Sequence, residues 1–555
     1  MPSSHLPFIR RSRRLAAALL LLLATVVLAA CGGSGDDNSQ AAAPSDGPAT
    51  LAPPNATVYG EILVRPSGDV EAGIVTAARR MLRVDDPGRE LRRLFDEQTD
   101  GQRGVFTREI DPWLGSTIGG FLLIENAAQT ESPDGAVIAD VRDRDAAQAA
   151  IDRLLADRDL QRGGTYEGVD YSVDSRDDSW TGLIDDFFVV GTAEGFRAAV
   201  VASRGRSLAD EDRFTTAADE LADDRLAWAY VEPAGIARLI SDQAEQQAQQ
   251  LDPEFRRAFE QQQDQIDRAL GSEPITASLT ARADQVVFDV SSGSAELPQN
   301  EGDGAVAIGD LPGDAWAAFA TPLLGDLISR TLRQAGQYDE AARAVRQLTA
   351  LDLDSDVLGW LGGIAAFVRG TSPLDIGGGI VIGSGDPAAS QRFVGRLERI
   401  VGGLGLPTTP TTGAGRGFQL KLPTFPQPIV VLAQDDKVVL GLGVASTRDA
   451  LDPDEKLDDT EPGKSAIASL GDDFKPAFVL VPEPMITLLR ALGLDSDPDF
   501  QSALPYLTAY RSIVAGSKQD DGRTTGRLTL NLQDPEGTPG DDGDGEGTQT
   551  ADVTP

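Results

Sequence analysis

The sequence predicts an α+β protein of two tandem, internally duplicated halves, each with mainly antiparallel sheets packed by helices. Three observations lead there. The chain has 555 residues, 41% of them hydrophobic, which is several times what one core usually needs and apolar enough to build more than one. The same order of short motifs occurs twice, roughly 240 to 260 residues apart, as an ancient duplication would leave it. Strand-like runs come in neighbouring pairs joined by short turns, with helical patterns between the groups, which favours antiparallel pairing over a regularly alternating parallel sheet.

Four correspondences carry the duplication. Pro112-Trp113-Leu114-Gly115 answers Gly359-Trp360-Leu361-Gly362, each just ahead of an apolar strand. Phe188-Val189-Val190-Gly191 answers Val438-Val439-Leu440-Gly441, each leading into a short helix. Ala229-Tyr230-Val231-Glu232-Pro233 answers Val479-Leu480-Val481-Pro482-Glu483-Pro484 at a strand end. Asp252-Pro253-Glu254-Phe255 answers Asp497-Pro498-Asp499-Phe500, both helix starts with Asp as cap and Pro in the first turn.

The elements follow in order. Residues 1–30 read as an export signal: Arg10, Arg11, Arg13 and Arg14, an apolar run from Leu15 to Leu28, then Leu28-Ala29-Ala30-Cys31. The run is short for a comfortable membrane-spanning helix and ends in small residues, the pattern of a cleaved signal. Residues 31–54, rich in Gly, Ser, Asp, Ala and Pro, are expected to be a flexible tether. The first repeat domain, 55–292, opens with a strand at Thr57 to Val64. It passes to strands at Gly119 to Ile124 and Gly135 to Val141, a helix near Asp145 to Ala156 and short strands up to Gly191. From Ile236, the residues Ile240, Ala244, Ala248, Leu251, Phe255, Phe259, Ile266 and Leu270 fall on one helical stripe, which predicts a buried face against the sheet of its own domain or a partner helix. The domain closes on strands Thr276 to Ala281 and Val286 to Ser291. The second repeat domain, 293–532, runs from a strand at Ala315 to Ala320 to a closing pair, Arg511 to Ala515 and Gly526 to Leu532. Trp113 and Trp360 are expected as core anchors. Residues 533–555 read as a disordered acidic tail.

Charge and composition exclude several functions. The chain carries 87 acidic and 49 basic residues, a net charge of -38, which repels phosphate backbones, so nucleic acid is not an expected partner. The only histidine is His5 and the only cysteine Cys31, both at the amino-terminal end. Ser/His/Asp and Cys/His catalysis, and zinc or copper sites that need imidazole or thiolate, are thereby removed. None of the six lysines has a serine three positions before it. Gly383-Ser384-Gly385-Asp386-Pro387-Ala388 fits a dinucleotide loop formally, but the segment after its helix is Gly402-Gly403-Leu404-Gly405-Leu406-Pro407, with no acidic strand end to hold a ribose. It reads as a tight turn with a helix cap. Gly463-Lys464-Ser465 ends like a phosphate loop whose first glycine is replaced by Asp458. Alternate carboxylates at Asp352, Asp354 and Asp356, at Asp495, Asp497 and Asp499, and at Asp542, Asp544 and Glu546 start like calcium loops. The glutamate such a loop needs at its twelfth position is Gly363, Tyr506 and Val553. No metal or cofactor is expected, and no catalytic residue is singled out.

Leu28-Ala29-Ala30-Cys31 resembles the lipobox of bacterial lipoproteins. The resemblance implies cleavage between Ala30 and Cys31, diacylation of the Cys31 thiol with palmitate-type chains, and anchoring on the outer face of the cytoplasmic membrane, reached by general secretory or twin-arginine export. Leu51-Ala52-Pro53-Pro54-Asn55-Ala56-Thr57-Val58-Tyr59-Gly60-Glu61-Ile62 with Arg65-Pro66, then Ser207-Leu208-Ala209-Asp210 with Arg213-Phe214, and Leu226-Ala227-Trp228-Ala229-Tyr230-Val231 resemble the bacterial domain-of-unknown-function family 3352. That likeness spans roughly residues 50–532 and implies an exported protein of unassigned activity. The expected function is non-enzymatic: an envelope lipoprotein that binds a protein, lipid or polymer through a groove between its two halves. A histidine-free hydrolase of envelope polymers, marked by two converging desolvated carboxylates, is the alternative, and a structural spacer without a cleft a third.

Overall fold

The computed structural model describes residues 46–84, 86–89, 93, 106–124, 133–156, 160–174, 177–238, 272–293, 304–322, 324–334, 336–411, 415–422, 427–520 and 522–534. The export signal with Ala30 and Cys31, most of the tether, the helical stripe after Arg238 and the tail beyond Asp534 lie outside them.

Among the described residues there are twenty strands. The first ten are β1 (Val58–Leu63), β2 (Leu114–Leu123), β3 (Asp134–Val141), β4 (Leu160–Tyr166), β5 (Val169–Asp174), β6 (Trp180–Ile184), β7 (Phe187–Gly191), β8 (Arg225–Val231), β9 (Ile275–Arg282) and β10 (Gln285–Ser292). The second ten are β11 (Ala315–Thr321), β12 (Leu361–Arg369), β13 (Gly377–Ser384), β14 (Thr408–Pro410), β15 (Arg416–Leu420), β16 (Ile429–Gln434), β17 (Lys437–Leu442), β18 (Lys475–Leu480), β19 (Tyr510–Asp520) and β20 (Arg523–Leu532). With the helices between them this is an α+β fold.

All pairings are antiparallel. Neighbours in the first half run β4, β5, β6, β7, β3, β2, β1, β8, β9, β10. The second half runs β14, β15, β16, β17, β13, β12, β11, β18, β19, β20, the same order ten strands on. The expectation of separate sheets gives way at one place. β10 and β20, each the last strand of its half, pair with each other and fuse the halves into one 20-stranded sheet. An edge strand presents unpaired N–H and C=O groups, and here two edges satisfy one another.

Registers fix which residues correspond. Gln285 and Arg523 each follow a two-residue turn, opposite Arg282 and Asp520, so Asp289 in β10 corresponds to Arg527 in β20. These two face each other directly across the seam. A local twofold axis therefore passes between them. The Arg527 guanidinium grips the Asp289 carboxylate with two bonds of 2.8 and 2.7 Å.

Both tryptophans are buried, and each indole N–H donates to the carbonyl four residues back, Trp113 to Glu109 at 2.6 Å and Trp360 to Asp356 at 3.1 Å. Each follows a short π-helical turn, Phe106–Ile110 or Leu353–Leu358, that delivers the ring into the core before the strand begins.

The expected tether is too long by several residues. Pro48–Leu51 form a 3-10 turn, and Ala49, Leu51 and Ala52 are fully or almost fully buried in the first-half core. Ala52 accepts from the Leu208 N–H at 2.8 Å, so the segment is part of the folded body.

Candidate functional site

The first half carries an open groove of about 440 Å³. One wall is the helix Ala193–Ala202, started by Thr192, whose hydroxyl accepts from the Gly195 N–H at 3.0 Å. Gly195 is required there, because a Cβ would overlap the Gly135 carbonyl on β3. Phe196, Ala199 and Val200 point into the core. Glu194, Arg197, Ala198 and Val201, at the spacing of one helical face, line the groove. The other wall is Pro53-Pro54-Asn55, continuing from the buried 3-10 turn, with Leu123, Asp134, Tyr166 and Arg206 completing the rim.

Arg197 organises this wall. Its guanidinium lies 4.6 Å from the ring centre of Trp180 and 5.8 Å from that of Tyr166, and it is paired with Glu194. Trp180 in turn stacks on Tyr171, with ring centres 3.7 Å apart and planes 5° from parallel. A guanidinium over an aromatic face is held by the ring quadrupole. The rim bears Asp134 and Glu194 against Arg197 and Arg206. On a protein of net charge -38 this is a locally balanced, half-apolar surface. Its lining comes entirely from residues 53–206, so the groove belongs to one half and does not lie between the two, as had been expected.

A buried polar cluster occupies the middle of the same half. The Tyr59 hydroxyl donates to Glu61 Oε2 at 2.6 Å. Burial pushes the Glu61 carboxyl above its ordinary range; the Tyr59 hydroxyl, the Arg225 guanidinium and the Trp228 indole pull the other way. Burial and the neighbouring Glu61 charge hold the Tyr59 hydroxyl protonated well past its usual range. Arg225 Nε and Trp228 Nε1 are buried without a partner of hydrogen-bond geometry in the protein, although the indole N–H is close enough to Glu61 to act on its charge. The cavity these residues line measures about 10 Å³, room for one water at most and for no substrate. No second carboxylate lines it.

The segments that carry the family resemblance converge on this cluster. Tyr59, Phe214, Trp228 and Tyr230 pack edge-to-face or tilted, with ring centres 5.2 to 5.6 Å apart. Ser207 and Asp210 hold the turn before Phe214, the Asp210 carboxylate accepting from both the N–H and the hydroxyl of Ser207. The second half lacks the polar part. Gly441, corresponding to Gly191, leads by register to Phe367 at the position of Phe121 and then to Ala318 at that of Tyr59, Ala320 at that of Glu61 and Val479 at that of Tyr230.

The other sequence candidates have structural positions. Asp386 caps the helix Pro387–Gly403 by accepting from the Ala389 N–H at 2.9 Å. Gly463-Lys464-Ser465 lies inside the helix Glu461–Ala468, capped by Thr460. Asp352 accepts from the Asp354 and Ser355 N–H groups, and the Ser355 bond with the Arg346 guanidinium holds its carboxyl below the usual range. Asp497 caps Pro498–Leu507 in the same manner. Among the described residues no group of three His, Cys, Asp or Glu side chains is placed to hold a metal ion, and no helix is long and apolar enough to cross a membrane.

Sequence reasoning missed the groove. Trp180, Tyr166 and Arg197 come from two strands and a helix, and no local motif links them.

Two solved structures bear a weak likeness to the chain. "Structure of crystal form IV of TP0453" is 14% identical over 44% of this chain and 79% of that one, with a TM-score of 0.24. "Structure of crystal form III of TP0453" is 13% identical over 52% and 87%, with a TM-score of 0.25, and neither carries an argument about this protein. No curated protein matches the sequence. The family described as "Protein of unknown function (DUF3352)" matches residues 15–533, nearly the whole chain, and the protein belongs to that family.

Proposed function

We propose that this protein is a lipid-anchored, extracytoplasmic binding protein that takes its ligand or partner in the first-half groove, and that its body arose by duplication of a ten-stranded unit. The anchor reading rests on the signal ending in Leu28-Ala29-Ala30-Cys31. The duplication reading draws on the recurring strand order and on the facing of corresponding residues at the seam. One observation carries the binding reading: a groove of about 440 Å³ with balanced charge and an arginine-aromatic wall, on an otherwise strongly acidic chain. It stands in the half whose core has the Tyr59–Glu61 pair where the other half has alanines.

The binding reading is tested with a photo-crosslinking amino acid at Ala198 in intact cells, with the corresponding second-half position, Arg448, as control. A discrete adduct from position 198 and none from 448 is the expected result; matching patterns from the two positions count against the groove. In the same cells Cys31→Ala is expected to leave the chain unacylated and out of the membrane fraction. Unchanged membrane association would remove the anchor from the proposal.

A further inference from the structure

A second cleft, of about 280 Å³, lies across the first-half sheet from the groove, under the helix Arg144–Ala156. Side chains alternate between the two faces of a strand. Tyr171 and Trp180 stack on the groove side, beneath Arg197, so Ser172 and Thr181, each next in the chain, project from the other face. These two pair directly across β5 and β6. Ser172 is 6% and Thr181 4% exposed, both line the cleft, and among the described residues neither hydroxyl has a hydrogen-bond partner. Polar groups buried this far are normally paired, so unmet hydroxyls on a cleft floor call for a ligand that pairs them.

The second half shows the same space filled as core. Gly191 and Gly441 correspond and stand opposite Trp180 and Val430, which makes Val431 the counterpart of Thr181 and Phe418 that of Ser172. Phe418 and Val431 are buried in one cluster with Val394 of the helix Pro387–Gly403. Asp143 and Asp386 cap their helices alike, so Asp152 corresponds to Gly395. The Arg416 guanidinium, from the position of Asp170, lies so close to Gly395 that a Cβ there would overlap it. Where the second half packs Phe, Val and Arg side chains under its helix, the first half has Ser172, Thr181 and Asp170 and leaves the space open. An unfilled space between helix and sheet costs stability.

The chemistry of the lining selects the ligand. Asp152 on the helix and Asp170 on β5 offer carboxylate acceptors from opposite walls, and Gln148 offers both senses. Arg162, opposite Ser172 on β4 and without an ion pair among the described residues, offers donors. Ile151, Leu155 and Leu183 supply an apolar strip. Donors and acceptors gathered around a space below the usual range for drug-sized ligands match one ring bearing hydroxyls, each of which donates and accepts, with its C–H edge on the apolar strip. An anion would face two carboxylates against one guanidinium, and an apolar ligand would leave the buried hydroxyls unpaired. We propose that this cleft binds one neutral hexopyranose ring.

The test uses the full-length chain in a detergent without sugar head groups, and saturation-transfer NMR with D-glucose, D-galactose, D-mannose and N-acetyl-D-glucosamine. Transfer to at least one of the four is expected; transfer to none overturns the proposal. Ser172→Phe with Thr181→Val installs the second-half residues, fills the cleft and is expected to abolish the transfer. Asp152→Asn, on an exposed helix position, is expected to weaken the affinity at least about tenfold with thermal unfolding unchanged. Unaltered binding in either variant overturns the assignment. Val201→Glu alters the groove wall and is expected to leave sugar binding as it is. Loss of binding there would place the sugar in the groove, overturning this inference and leaving the groove reading intact.

Discussion

Glu61 stands mid-strand, with Gly119 beside it on β2 and Trp228 beside it on β8. Its raised proton affinity in the folded state has a definite consequence for stability. The folded protein holds the proton more tightly than the unfolded chain, so the contribution of this group is greatest below the ordinary glutamate range and declines as pH rises through its raised value. Glu61→Gln keeps an oxygen for the Tyr59 hydroxyl and removes the titration. Denaturant unfolding across mildly acidic pH is therefore expected to show a flatter profile in the variant; an identical slope would mean that Glu61 does not titrate in the folded chain. Nothing in the sequence separates Glu61 from the other acidic residues, because its burial is set by register with strands that follow some 60 and 170 positions later.

The tryptophan turns, by contrast, were legible as paired motifs, since a Trp-Leu-Gly step ahead of an apolar run is a local signal. Trp360 is 1% exposed and packs against Phe393 with ring centres 5.4 Å apart. Trp360→Ala is expected to cost about 3–5 kcal/mol in equilibrium unfolding. A loss under about 1 kcal/mol would show that the site collapses around the cavity. Helix caps at Asp386 and Asp497 were equally readable, each an Asp-Pro step whose carboxylate takes up free N–H groups. The segment 46–54 was not. A 3-10 turn of four residues offers no periodicity to detect, and its burial depends on Leu208, whose N–H bonds to the Ala52 carbonyl, and on Tyr59, which shares its core cluster. The helix Ala193–Ala202 could be read as a helix, but which of its sides would border a groove depends on Pro53 and Tyr166, far away in the chain.

At the scale of the molecule, the repeated motifs made two similar halves legible and left their joining hidden. β10 and β20 lie 238 residues apart, and no local pattern announces that they pair. The Asp289–Arg527 contact is more than half buried, with the two side chains 23% and 27% exposed, and Arg527 also lies 4.2 Å from the Phe474 ring centre. Asp289→Arg, which sets two guanidiniums against each other, is expected to destabilise by about 2–5 kcal/mol, with recovery of much of that in Asp289→Arg combined with Arg527→Asp. Thermal unfolding of the two single variants and the double variant measures the coupling. Additive losses would show that the pair contributes through its surroundings and not through its charges.

The opposition of unlike charges on the twofold axis also decides who can pair with whom. A first half meeting another first half along β10 would bring Asp289 onto Asp289, and two second halves would bring Arg527 onto Arg527. Only the mixed pairing neutralises both. The two halves are thus not interchangeable along this edge: each accepts the other and rejects itself, and two sticky sheet edges close only on their complement.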